Sequence, residues 1–115
     1  ASAHQVTCSA LITTDALIAR APEQVAAAVR AIVRAQQALR ADPQRATEVG
    51  RRRFPPDAAE LIASVVARDV SFYDPAISPE TLAVMDRFTR ALGWLTVPVP
   101  YEQVVATQFQ PLWQV

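Results

Sequence analysis

Three long segments of the chain combine a helix start signal with apolar residues that recur at every third or fourth position. The start signals are a Pro-Glu pair, an Asp with a Glu three residues later, and a Ser-Pro-Glu run, all of them typical of helix N-termini. The predicted helices are Pro22 to Ala41, Asp57 to Asp69 and Pro79 to Leu92. Such long periodic segments constrain the fold strongly. We therefore expect a mainly helical chain.

The same periodicity assigns one buried face to each predicted helix, because positions three and four apart lie on the same side. In the first helix these positions are Val25, Ala28, Val29, Ile32, Ala35 and Leu39. In the second they are Ala58, Leu61, Ile62, Val65 and Val66, and in the third Leu82, Met85, Phe88 and Leu92. Both tryptophans, Trp94 and Trp113, are also expected to pack into the core.

Shorter elements fill the remaining segments. The mixture of β-branched and small residues from Val6 to Thr14 predicts a short buried strand. Thr14 or Asp15 is expected to cap a helical turn that ends at Arg20. A short helix after Asp42-Pro43 is expected to end at Gly50 in a left-handed conformation, and a last turn is expected around positions 101–106. The predicted fold class is mainly α with one or two short strands.

Composition limits the size and the partners of this fold. A chain of 115 residues with 51% hydrophobic residues can bury one modest core, so positions 1–115 are expected to form a single domain. Eleven Arg balance eleven Asp and Glu, which gives no electrostatic case for binding nucleic acid. No apolar run approaches the ~20 residues that span a bilayer, and no signal pattern precedes the first strand. We expect a mature or trimmed chain.

Few residues in the sequence could carry chemistry. His4 and Cys8 are the only histidine and cysteine, and in a strand they lie too far apart for a nucleophile and its base. They also cannot form a zinc site or an internal disulfide. The run Arg51-Arg52-Arg53 could contact an anion or an acidic partner, although it also complements the negative end of a helix dipole. We expect no catalytic residues, no metal and no cofactor.

The order of these segments resembles one family. Leu11 to Ile18, then Pro22 to Val25 and Ala31 to Gln36, followed by Tyr73 to Ser78 and Val97 to Tyr101, are similar to the carboxy-terminal part of nitrate/sulfonate/taurine-type solute-binding proteins. The resemblance implies a fragment of an α/β two-lobed periplasmic binding protein-like fold. It further implies a periplasmic or extracytoplasmic location, a small anionic or polar organic solute, and an ABC permease as partner.

Site residues and self-association also follow from this resemblance. It places the segment with His4, Thr7 and Cys8 near the cleft between the lobes, where these side chains could contact solute. Because the family members are longer, the apolar faces and the strand edge would lack their partners. We therefore expect this chain to self-associate, with pairing around Val6 to Thr14.

Two alternatives to a solute-binding function remain. The chain could be a self-standing helical domain that binds a protein partner through Arg51 to Arg53 and the flanking helices, which an exposed apolar patch would favour. It could also be an enzyme, since relatives of the same fold include thiamine-pyrimidine synthesis proteins. No cluster of ligands or nucleophiles in the sequence supports the enzyme.

Overall fold

The computed structural model describes residues 9–114, and 73% of these residues are helical. Within residues 9–114, seven α-helices are accompanied by two 3₁₀ turns, at Val70–Phe72 and Thr107–Phe109. The helices are α1 (Asp15–Arg20), α2 (Pro22–Ala41), α3 (Gln44–Arg53), α4 (Pro56–Asp69), α5 (Pro79–Ala91), α6 (Tyr101–Val104) and α7 (Gln110–Trp113). The prediction of a mainly helical chain is confirmed.

The predicted N-terminal caps of α1 and α5 are confirmed, and so is the extent of α2. The Thr14 hydroxyl accepts a hydrogen bond from the Leu17 N–H at 3.1 Å, and the Ser78 hydroxyl accepts one from the Thr81 N–H at 3.1 Å. The prediction for α4 is wrong at its start. That helix begins at Pro56 without a side-chain cap, so Asp57 lies in its first turn.

The predicted strand is wrong over residues 9–14, which have no regular structure. A strand needs a neighbour to take its backbone hydrogen bonds, and no strand occurs within residues 9–114 to serve as one. Thr14 instead ends the segment by capping α1. Positions 6–8 of the predicted strand lie outside the described residues.

Contacts divide the described residues into two compact units, one of residues 9–26 and 76–114 and one of residues 27–75. In the second unit, α3 packs against α4. The buried residues of this helix pair are small or medium in size: Ala46, Gly50, Ala59 and Val66. Gly50 therefore does not end α3 as expected. It lies inside the helix and is buried where α4 packs against α3.

In the first unit, the buried apolar residues are Val25, Ala26, Val105, Phe109 and Trp113. Trp113 is only 8% exposed, which confirms its predicted place in the core. Three of these five residues, Val105, Phe109 and Trp113, lie in or directly after the carboxy-terminal turns. The carboxy-terminal turns thus supply core side chains, although their prolines make them look like a peripheral tail.

All three predicted buried faces are partly wrong. On α4, Leu61 and Val65 are exposed. On α5, Phe88 is exposed, and so is Leu92, the residue that caps its C-terminus. On α2, Ile32 and Ala35 are exposed whereas Val33 is buried. Alanine and valine occur all around α2, so its periodicity does not single out the buried stripe. Among the described helices none has both the length and the apolarity needed to cross a membrane.

Candidate functional site

The end of α5 is fixed by a glycine in the left-handed conformation. Gly93 has a φ of 77°, as the sequence predicts for the residue that stops this helix. The Gly93 N–H donates to the Arg90 carbonyl at 3.0 Å, and the Trp94 N–H donates to the Thr89 carbonyl at 3.0 Å. These bonds satisfy carbonyls of the last turn and set the direction in which the chain leaves the helix.

The segment that follows Gly93 is also attached to the rest of its unit at its far end. One carboxylate oxygen of Asp86 accepts a hydrogen bond from the Arg90 Nε at 2.9 Å, and the other accepts one from the Val99 N–H at 3.2 Å. The Tyr101 hydroxyl donates to the Ile77 carbonyl at 2.6 Å. Because both ends are attached to α5 or to the residues just before it, the intervening residues 93–99 form an anchored loop.

This loop and the last turns of α5 expose large apolar side chains. We call the set the tryptophan surface; its members are Phe88, Leu92, Trp94, Leu95 and Val97, all at least partly open to solvent. Trp94 is 74% exposed, so the prediction that it belongs to the core is wrong. The Gly93 turn directs the chain away from α5. The sequence pattern does not show which side of the following loop packs against the rest of its unit.

The three arginines at the end of α3 do not form one patch. Successive helix residues point about 100° apart, since a turn has 3.6 residues. Arg52 lies with Arg45, Asp42 and Glu48 beside one open depression, and Arg51 lies with Glu60 beside another, each of about 360 Å³. Acidic side chains accompany the arginines in both depressions. Each depression therefore carries both positive and negative charge.

Groups that could perform chemistry are sparse in the described part of the chain. His4, Thr7 and Cys8, the residues predicted to contact solute, lie outside it. Within residues 9–114, no three His, Cys, Asp or Glu side chains come close enough together to hold a metal ion. A hydrogen bond from Arg68 lowers the pKa of Asp69, and the same bond raises the pKa of Arg68. This pair is exposed on the surface of α4, where it stabilises the fold little.

No protein-family model matches the chain, and searches of curated proteins and of solved structures find no protein similar to it. The resemblance to solute-binding proteins therefore stays a prediction.

Proposed function

We propose that this chain is a non-enzymatic helical module that binds another protein through the tryptophan surface. The observation that carries the proposal is the 74% exposure of Trp94 on a loop that is anchored at both ends. Tryptophan is among the residues most enriched in the energetic centres of protein interfaces. Clusters of exposed apolar side chains often mark the sites at which a protein binds its partners.

The anchored loop favours binding for an entropic reason. Ordering a loop at an interface costs free energy, and a loop already held by backbone and side-chain hydrogen bonds has less freedom to lose. Asp86 contributes directly, because its carboxylate fixes both Arg90 and the Val99 N–H. Arg87, which is exposed and directly precedes Phe88 in α5, adds a positive group to this part of the helix. The surface thus suits a partner with an apolar groove and an acidic rim.

Site-directed photocrosslinking tests this proposal. A photoreactive amino acid is placed at Val97, and in a matched variant at Val104, an exposed valine of the same unit outside the tryptophan surface. We expect the Val97 variant to crosslink a protein in cells of the source organism and the Val104 variant to give no such product. The crosslinked protein is then purified, and its affinity for the chain is measured by calorimetry.

The Trp94→Ala substitution supplies the quantitative part of the test. Loss of a central tryptophan typically costs about 2 kcal/mol or more, which weakens binding roughly thirtyfold. Unfolding experiments on the same variant check that the fold is unaffected. Equal crosslinking from Val97 and Val104, or an affinity that Trp94→Ala leaves unchanged, would refute the proposed surface.

We also propose a second candidate, the carboxy-terminal part of an extracytoplasmic solute-binding protein that delivers a small anionic or polar organic solute to an ABC permease. It is suggested by the resemblance in the order of sequence segments, two of which, Pro22 to Val25 and Ala31 to Gln36, lie in α2. In this case the exposed apolar residues would pack against the remainder of a two-lobed α/β protein. The missing strand at residues 9–14 is the reason to rank it second.

Calorimetric titration with taurine, alkylsulfonates, nitrate and pyrimidine precursors tests the second candidate. We expect the 115 residues to bind none of them measurably, because a solute site needs polar groups that converge from opposite walls. The longer protein should bind one of them, and Thr7→Trp or Cys8→Trp should weaken that binding while Thr7→Ser does not. Tight binding by the 115 residues alone would contradict the two-lobe account.

A further inference from the structure

Helix α4 carries a second apolar stripe that α3 does not cover. Leu61 and Val65 are 66% and 37% exposed, and they lie one turn apart on the same face. The buried residues Ala59 and Val66 occupy a different face of the helix. Asp57 lies one turn before Leu61, and Arg68 lies three residues after Val65, both of them exposed. We call Asp57, Leu61, Val65 and Arg68 the α4 seam.

The α4 seam is complementary to itself when it is reversed. It has an acidic residue at its start, a basic residue at its end and two aliphatic residues between them. The midpoint of Leu61 and Val65 falls at position 63, and the midpoint of Asp57 and Arg68 falls between positions 62 and 63. A single two-fold axis near position 63 therefore sets Leu61 opposite Val65 of a second copy and Asp57 opposite Arg68 of that copy. A two-fold interface requires this kind of self-complementary surface.

We propose that two copies of this chain associate through antiparallel pairing of their α4 seams. The charges of Asp57 and Arg68 determine whether the two helices pair in parallel or antiparallel. A parallel pair would place Asp57 against Asp57 and Arg68 against Arg68, whereas the antiparallel pair forms two ion pairs between opposite charges. The inference does not depend on the tryptophan surface, which belongs to the other unit.

Arg68 can bind the second copy without giving up its present partner. Its Nε and one terminal nitrogen donate to the two carboxylate oxygens of Asp69, at 2.6 and 2.7 Å. A guanidinium has five N–H donors, so others are available for Asp57 of the second copy.

The short length of α4 limits the surface area that this dimer can bury, and hence its affinity. The 14 residues of α4 span ~21 Å. One pair of such helices buries less than the ~1,200 Å² found at the low end of stable interfaces. The dimer is therefore weak, and its population depends on protein concentration.

Charge reversal tests the pairing and its direction together. Sedimentation equilibrium over a concentration series compares the natural chain with Asp57→Arg, Arg68→Asp and the variant that carries both changes. Either single change sets like charges against each other at both ends of the seam, so each should weaken association at least tenfold. The double variant exchanges the two charges and should restore association to within about threefold of the natural chain. Circular dichroism confirms that the variants keep their helices.

Two further variants separate this seam from other surfaces. Glu60→Arg makes the same charge change as Asp57→Arg in the same helix, but off the seam, and should leave association unchanged. Leu61→Asp should abolish association. A chain that stays monomeric at millimolar concentration would overturn the proposal, and so would a double variant that stays as weak as the single ones. Association that is lost with Trp94→Ala and insensitive to the charge changes would also overturn it.

Discussion

Replacing Trp113 with alanine is expected to lower the free energy of unfolding by about 3–5 kcal/mol. Trp113 is one of the largest side chains of its unit and is 8% exposed, so its removal takes away apolar contacts and leaves a cavity that short helical turns cannot readily close. Urea unfolding followed by circular dichroism measures the change. The milder Trp113→Phe retains an aromatic ring and should lose less, which keeps the comparison possible if the alanine variant unfolds.

Trp94→Ala provides the matched control. It removes the same side chain from an exposed position of the same unit, and surface changes of this type usually alter stability by no more than about 0.5 kcal/mol. The two tryptophans should therefore differ in stability effect by several kcal/mol. A similar loss from both substitutions would show that Trp94 packs in the core and would remove the basis of the tryptophan surface.

Local chemistry explains which elements the sequence predicts well. Thr14 and Ser78 cap their helices with their own hydroxyls, and Gly93 stops α5 through its own backbone freedom. Each of these interactions joins residues no more than five positions apart, so the segment itself contains the information that determines its end. The bounds of α2 follow for the same reason.

Contacts between distant segments explain what the sequence does not predict. Gly50 has the residue type of a helix stop, yet it lies within α3 because α4 packs against it. The strand expected before Thr14 depended on a neighbouring strand that residues 9–114 do not contain. In both cases a tertiary partner decides the local conformation, and periodicity carries no information about that partner.

The tryptophan surface likewise depends on contacts between segments that are distant in the sequence. Its anchors join Asp86 to Val99 and Ile77 to Tyr101, pairs separated by 13 and 24 positions. The Gly93 turn was predictable, whereas the exposure of Trp94 depends on where those anchors hold the loop. The arginine run was visible in the sequence, but helix geometry distributes Arg51 and Arg52 to different depressions. A run of like residues in a helix is therefore poor evidence for a single patch.

The contact between Gly50 and Ala59 permits a sharp test of the α3–α4 packing. A Cβ atom added at Gly50 would lie 3.5 Å from both the Cα and the Cβ of Ala59, an ordinary van der Waals distance. A methyl group therefore fits, but a larger side chain meets the backbone of α4, which cannot move aside as a flexible side chain would. The space between α3 and α4 at Gly50 is therefore large enough for a methyl group but not for a larger side chain.

Gly50→Ala is accordingly expected to raise the free energy of unfolding by about 0.5–1 kcal/mol, because alanine is the better helix former. Gly50→Leu should lower it by about 1–3 kcal/mol, since the extra carbons force α3 and α4 apart. Both are measured by urea unfolding. The exposed neighbour Val49 supplies the control, and Val49→Leu should change stability by less than about 0.5 kcal/mol. If Gly50→Leu proves as stable as Gly50→Ala, the space beside Gly50 is open and the two helices do not pack as closely as the structure places them.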